Sequence, residues 1–193
     1  MSSSYTKTRI MVECALMIAL GTILANIKIY ELPNGGSITL FSMVPFILVS
    51  FRHGVKWGLF TGFVNSLLQM LLGFYAPPAP GLLPLVGMIL LDYVLAFGVM
   101  GIAGLGRGKP HGIFWGSVLG GAARFVVHYI SGITIYKILA PTEIFGTVFD
   151  NPALYSLIYN GSYVGIDLVL CLVIFGILYA PLKTYMTGAD LRR

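Results

Sequence analysis

Charge is what this sequence has least of. Of its 193 residues only 10% are Asp, Glu, Lys or Arg, while 57% are hydrophobic; a soluble domain carries about 25% charged residues. That shortage excludes an ordinary soluble domain and places the chain in a bilayer. Cysteine is nearly absent. Cys14 and Cys171 lie in separate apolar runs without C-x-x-C spacing, which argues against a disulfide scaffold and leaves two buried free thiols. Histidine occurs only at 53, 111 and 128, with no H-E-x-x-H and no cluster at ligand spacing, so no metal is expected. The nearest approach to a P-loop, AGLGRGKP, has Ala103 where the first glycine belongs and Pro110 after the lysine. ATP hydrolysis through that motif is excluded. With G-x-S-x-G missing too, the chain is expected to be no enzyme and to need no cofactor. A net charge of +5 would suggest nucleic acid in a soluble protein. Here the basic residues sit at the ends of apolar runs, and no nucleic-acid partner is expected.

What the chain does have is long apolar runs. A crossing takes about 20 residues, so the length suits six short spans. They are predicted at about Ile10–Asn26, Ile38–Phe51, Trp57–Phe74, Leu82–Leu105, Ile113–Tyr136 and Ala153–Leu182, as one six-helix membrane domain over 1–193. The loops KIYELPNGGS and YAPPAPG are rich in proline and glycine and read as breakers. The first run follows Lys7 and Arg9 as a signal peptide would, but its length and the spans that follow make it a retained helix. Lys7, Arg9, Arg52, Lys56, Arg107, Lys109, Lys183, Arg192 and Arg193 fall on one side of the spans. Only Lys28 and Lys137 fall opposite, and Arg124 lies inside span five. By the positive-inside rule both termini are expected in the cytoplasm, making this a multi-pass protein of the cell membrane with the bilayer as its first partner.

Orientation fixes depth. Asp92 and Tyr93 fall about ten residues, or ~15 Å of helix, below the outer end of span four. His128 lies in the outer half of span five, and Tyr155, Asn160 and Tyr163 in the first turns of span six. Three spans thus bring a carboxylate, an imidazole, an amide and aromatic rings to one level. An acid at that depth costs roughly 2.5–3.5 kcal/mol on insertion scales, so it calls for a partner or a ligand. A buried carboxylate attracts a cation, aromatic rings supply stacking and cation–π faces, and Asn and His pair with heteroatoms. The expected ligand is small, flat and cationic or amine-bearing, taken from outside. No basic cluster is evident in the outer pocket, which favours an unphosphorylated one.

Other polar residues read as structural. Arg124 and Asp167, both near mid-bilayer, are expected to pair with each other. Glu13, near the inner end of span one, is expected to snorkel or cap. Asn65 and Gln69 are expected to form interhelical hydrogen bonds. Tyr30, Tyr75 and Tyr136 lie at the outer interface, where aromatic residues are common. Ala15 and Ala19 form a small-xxx-small face, open to internal packing or to docking of another membrane protein.

The stretches GGSITLFSMVPFILVSFRHGVKWGLFTG (35–62), LLDYVLAFGVMGIAGLG (90–106), RFVVHYISG (124–132) and YSLIYNGSY (155–163), in this order, resemble the substrate-binding (S) subunits of energy-coupling-factor vitamin transporters, most closely those for thiamine. The resemblance covers nearly the whole chain. It implies a six-helix fold with both termini inside, high-affinity thiamine binding from outside, no catalysis, and transport through a separate transmembrane coupling subunit and two ATPase subunits. It places Asp92, Tyr93, His128, Tyr136, Tyr155 and Asn160 at ligand-binding positions. Asp92 would balance the thiazolium charge or hold the aminopyrimidine, and Tyr136 would stack on a ring. His128, Tyr155 and Asn160 would bond ligand heteroatoms, and Tyr75 would be a further aromatic contact. The Ala15–Ala19 face matches the family's coupling-subunit contact. Some relatives carry Glu at the acid, Trp at the stacking position, or Trp in the first outer loop, where this chain has Asp92, Tyr136 and NGGS. The alternatives are an S subunit for another vitamin, which would not need the acid, and a stand-alone secondary transporter using Arg124 and Asp167 as an ion relay.

Overall fold

The computed structural model describes residues 3–139 and 142–192; Arg193, counted above in the basic tail, lies outside them. Six helices follow the apolar runs: α1 (Ser3–Asn26), α2 (Val44–His53), α3 (Val55–Gly73), α4 (Leu82–Gly106), α5 (Gly112–Thr134) and α6 (Pro152–Met186). Stretches of α1, α4, α5 and α6 are long and apolar enough to cross a membrane, and α2 is a shorter apolar helix. Large hydrophobic side chains such as Leu16, Phe60, Leu71, Val126 and Val173 point outward. Lipid can cover such a surface, whereas water would not.

Two small antiparallel hairpins replace what the sequence predicts as plain loops. β1 (Lys28–Glu31) pairs with β2 (Ser37–Thr39), and β3 (Thr142–Ile144) with β4 (Thr147–Phe149). In the first, the Pro-Asn-Gly-Gly run turns the chain, with Asn34 and Gly35 at positive φ (63° and 88°), a region glycine and asparagine tolerate best. Leu32 and Ile144 bury against Tyr155, Tyr159 and Tyr163 of α6, so both hairpins pack on one end of the bundle.

Span two departs most from its predicted form. The chain predicted as helical from Ile38 is a strand up to Thr39, turns through Phe41 (φ 60°), and becomes helical only at Val44. Pro45 explains the start, since proline lacks an N–H and fits the first helical turn. The non-helical stretch before it is held from the side. Asp167 of α6 accepts from the Thr39 backbone N–H (2.9 Å) and from Thr39 Oγ1 (3.2 Å), and Ser42 Oγ lies 2.5 Å from Thr39 Oγ1. Irregular backbone at membrane depth persists only where protein satisfies it. At the far end of the chain α6 runs past the predicted Leu182 to Met186, across a kink at Pro181–Leu182.

α4 is not uniform. An α-helical turn (Leu82–Met88) leads into a π-helical segment (Ile89–Leu95), then a short α-turn and a 3-10 stretch (Val99–Gly106). In the 3-10 part the backbone lies directly against α3: a Cβ on Gly101 would strike the backbone of Gly58 and Leu59. Close approach therefore requires glycine there. The π segment carries Asp92 and Tyr93, and such insertions frequently mark functional sites because they rotate side chains off the regular helical register.

The end opposite the hairpins holds a buried ionic cluster. Arg52, one of the basic residues that fix the orientation, is fully buried. Its guanidinium donates to Glu13 of α1 (2.6 and 3.1 Å), to Asp190 (2.6 and 2.8 Å) and to the Tyr185 carbonyl, and lies 3.9 Å over the Tyr185 ring. Arg9 also reaches Asp190 at 2.8 Å, and His53 Nε2 lies 2.7 Å from Glu13. Glu13 thus neither snorkels nor caps but joins α1 to α2. The Arg9–Asp190 contact brings the first and last helical segments to the same end of the bundle.

Candidate ligand-binding site

A cavity of about 490 Å³ lies between α3, α4, α5, α6 and the β1–β2 hairpin. Tyr75, Asp92, Tyr93, His128, Tyr136, Tyr155 and Asn160, drawn from five stretches of sequence, all line it, as do Arg124 and Asp167. Ala15 and Ala19 lie elsewhere, on the outward face of α1.

The π-helical segment aims Asp92 at α5. One carboxylate oxygen accepts from Ser131 Oγ at 2.6 Å and the other lies 3.1 Å from His128 Nδ1. On the far side of the imidazole, Arg124 Nε approaches His128 Nε2 at 3.5 Å. A guanidinium has no lone pair to offer, so Nε2 accepts and the ring proton sits on Nδ1, facing Asp92. Arg124, His128 and Asp92 therefore form one line of contacts through the imidazole. The same imidazole meets the Tyr163 ring edge-on at 5.8 Å.

Asn160 sits one level with this group. Its amide nitrogen donates to the Ser156 carbonyl and hydroxyl (both 3.0 Å) and to the His128 carbonyl (3.3 Å), while its oxygen accepts from Tyr163 at 2.9 Å. Asn160 thus braces α6 against α5, and its amide is already engaged within the protein. Tyr93 OH is also engaged: it accepts from the Tyr75 N–H (2.9 Å), donates toward the Gly73 carbonyl (3.4 Å), and its ring stacks on Phe74. Tyr155 accepts from Asn34 Nδ2 at 3.2 Å. Tyr136 projects from the 3-10 turn after α5 and has no hydrogen-bond partner among the described residues.

The predicted Arg124–Asp167 pair is not formed. Asp167 spends its oxygens on Thr39, as described, and Arg124 reaches His128, the Met100 sulfur (3.9 Å) and the face of Phe97 (5.1 Å). Both charges face the cavity instead of each other. The strand that opens span two, ahead of Pro45, supplies the donors that Asp167 takes.

Three contributors escape the sequence reading. Ser131 lies three residues beyond His128, on the same helical face, and that spacing is the signal that would have found it. Tyr159 falls midway in the four-residue repeat Tyr155–Tyr159–Tyr163. The first two rings stack at 5.4 Å and the latter two meet edge-on at 5.7 Å. Its hydroxyl accepts from the Gly36 N–H at 2.8 Å and donates to the Pro33 carbonyl, pinning the hairpin turn. A Cβ on Gly36 would lie 2.5 Å from that hydroxyl, so glycine alone fits. The third is Gln69, which lines the cavity rather than bonding a neighbouring helix.

In charge the cavity is weighted negative. Lys28 and Glu31 bond to each other on the hairpin, and below them the carboxyls of Asp92 and Asp167 outnumber the one guanidinium, Arg124. A six-helix membrane bundle enclosing a tyrosine-rich cavity of this sign defines a membrane protein built to bind a small, positively charged solute. Residues 11–186 match the family described as thiamine transporter protein (Thia_YuaJ). The chain is 31% identical over 188 residues to the thiamine transporter ThiT of Bacillus subtilis (strain 168), an alignment covering 88% of this chain and 89% of that protein. It is 30% identical over 163 residues to the thiamine transporter ThiT of Lacticaseibacillus paracasei, covering 78% and 77%. A solved structure of ThiT from Listeria monocytogenes shares the fold with a TM-score of 0.76 at 22% identity, over 93% of this chain and 98% of that one. The chain belongs to the thiamine transporter family, and is a multi-pass membrane protein of bacterial type, not an enzyme.

Proposed function

We propose that this chain captures thiamine from the outer face of the membrane as the S subunit of an energy-coupling-factor transporter. The hairpins then face outward and both termini face the cytoplasm, in agreement with the loop charges. The observation that carries the reading is the Asp92 carboxyl, bonded by Ser131 and His128 in the wall of a cavity where carboxyl groups outnumber guanidinium. A permanent thiazolium cation offsets the cost of burying that charge, and the Tyr75, Tyr136 and Tyr155 rings offer stacking faces to a flat ligand. The same sign of charge disfavours phosphorylated forms. Calorimetry on detergent-solubilised protein should show tight binding of thiamine without ATP; heat with another vitamin and none with thiamine would overturn the assignment. Trp57 and Trp115 do not line the cavity, so tryptophan fluorescence is a poor substitute.

Uptake then requires a transmembrane coupling subunit and two ATPase subunits. The face of α1 bearing Ala15 and Ala19 suits the docking role. Both residues are exposed among Met11, Val12, Leu16 and Ile23, whereas Gly21 turns inward against the Phe46 ring. Small residues on an open face allow a partner helix to come close. Ala15→Trp is expected to abolish uptake in the assembled transporter while leaving thiamine binding by the isolated subunit unchanged. Loss of both activities would show instead that the face packs internally.

A further inference from the structure

Around the cavity most polar groups are already engaged by the protein, as described for Tyr93, Tyr159 and Asn160. Gln69 is different. Its Nε2 is buried without a hydrogen-bond partner among the described residues, and no described residue bonds its side-chain oxygen. Asn65, one turn earlier on α3, also has an unpaired nitrogen, but its oxygen accepts from Thr22 of α1 at 3.4 Å and it does not line the cavity. Asn65 serves helix packing; Gln69 serves none.

An unpaired amide N–H in a buried site is unfavourable. Native proteins seldom leave one without a reason, and in a ligand cavity the ligand is the available partner. No hydrogen bond in the protein holds this amide, so rotation about its last bonds can bring the donor, now shielded, beside the acceptor at the cavity wall. Such an amide pairs in two-pronged fashion with a ring nitrogen next to an amino group, as glutamine and asparagine do with adenine. Of the parts of thiamine, the aminopyrimidine offers that edge. The thiazolium has neither an N–H nor an accepting ring nitrogen, and the hydroxyethyl group offers a single atom.

We propose that Gln69 is a specificity-determining contact that reads the amino-nitrogen edge of the pyrimidine ring. The proposal rests on the thiamine reading above and adds to it a residue outside the positions that the family resemblance marks. Gln69→Met keeps the side chain's length and removes both hydrogen-bonding groups. The test compares wild type and variant against two probes, thiamine and 3-benzyl-5-(2-hydroxyethyl)-4-methylthiazolium, which keeps the cation and the alcohol but replaces the pyrimidine with benzene. In displacement calorimetry on the full chain, Gln69→Met should bind thiamine roughly ten- to a hundredfold more weakly, the equivalent of one or two hydrogen bonds. Its affinity for the benzyl compound should be unchanged. The thermal midpoint of the ligand-free variant should not fall, because an unpaired group has been removed. Gln69→Asn, which draws the amide back by one methylene, should show the same ligand-selective loss and serves if the methionine variant does not fold. Equal weakening toward both probes, or undiminished thiamine affinity, would overturn the proposal. Failure of the wild type to bind thiamine at all would overturn the functional reading beneath it.

Discussion

Asp92→Asn is expected to weaken thiamine binding by about 3 kcal/mol or more, upward of roughly a hundredfold, the range seen when one partner of a buried charge contact is removed. The substitution keeps the side chain's size and removes its charge. Arg124 then faces Asp167 alone across the cavity, and the excess negative charge that a thiazolium would neutralise is gone. One of the two donors now facing Asp92, Ser131 Oγ or His128 Nδ1, meets an amide nitrogen unless the ring changes tautomer. Calorimetry with thiamine, alongside a thermal melt of the ligand-free protein, separates these effects. A large loss of affinity with a modest change in the melt supports charge recognition. Wild-type affinity in the variant would remove Asp92 from the site.

The largest expected loss of stability lies at the other end of the bundle. Arg52→Met should cost about 3 kcal/mol, the lower end of the range for breaking a buried ion pair. The cost falls at that end because Glu13 and Asp190 are partly exposed and Arg9 still faces both. Burying an arginine is costly, and here that cost is met by two carboxylates, a carbonyl and an aromatic face. Together these tie α1, α2 and the C-terminal turn. The thermal midpoint in detergent should fall by several degrees, while thiamine affinity measured below the transition should be unchanged, since no member of the cluster lines the cavity. An unshifted midpoint would mean that the cluster contributes no net stability.

Apolar run length and the side on which basic residues fall are local properties. The number of helices, the meeting of the terminal segments at one end and the level shared by Asp92, His128 and Asn160 are therefore legible in the sequence. Residues three or four apart on a helix share a face whatever surrounds it, so Ser131 and Tyr159 were within reach of the same reasoning. Partner choice was not. At one depth Asp167 had Arg124, Thr39 and Ser42 as potential partners, and it bonds Thr39 because span two begins as a strand that must be satisfied from outside itself. Arg52 reads as a loop charge until Glu13 of α1 and Asp190 close over it.

By itself, then, the sequence determined a six-helix membrane protein of the thiamine transporter family with an acid in the outer half of span four, because these follow from composition, spacing and resemblance. Only the tertiary structure decided which polar groups are engaged by the protein and which, like the Gln69 amide nitrogen, are left without a protein partner. Hydrogen bonds reach only about 3 Å, and which groups come within that reach depends on helix rotation and approach. Here those are set by the π-helical segment of α4 and the glycine contacts between α3 and α4.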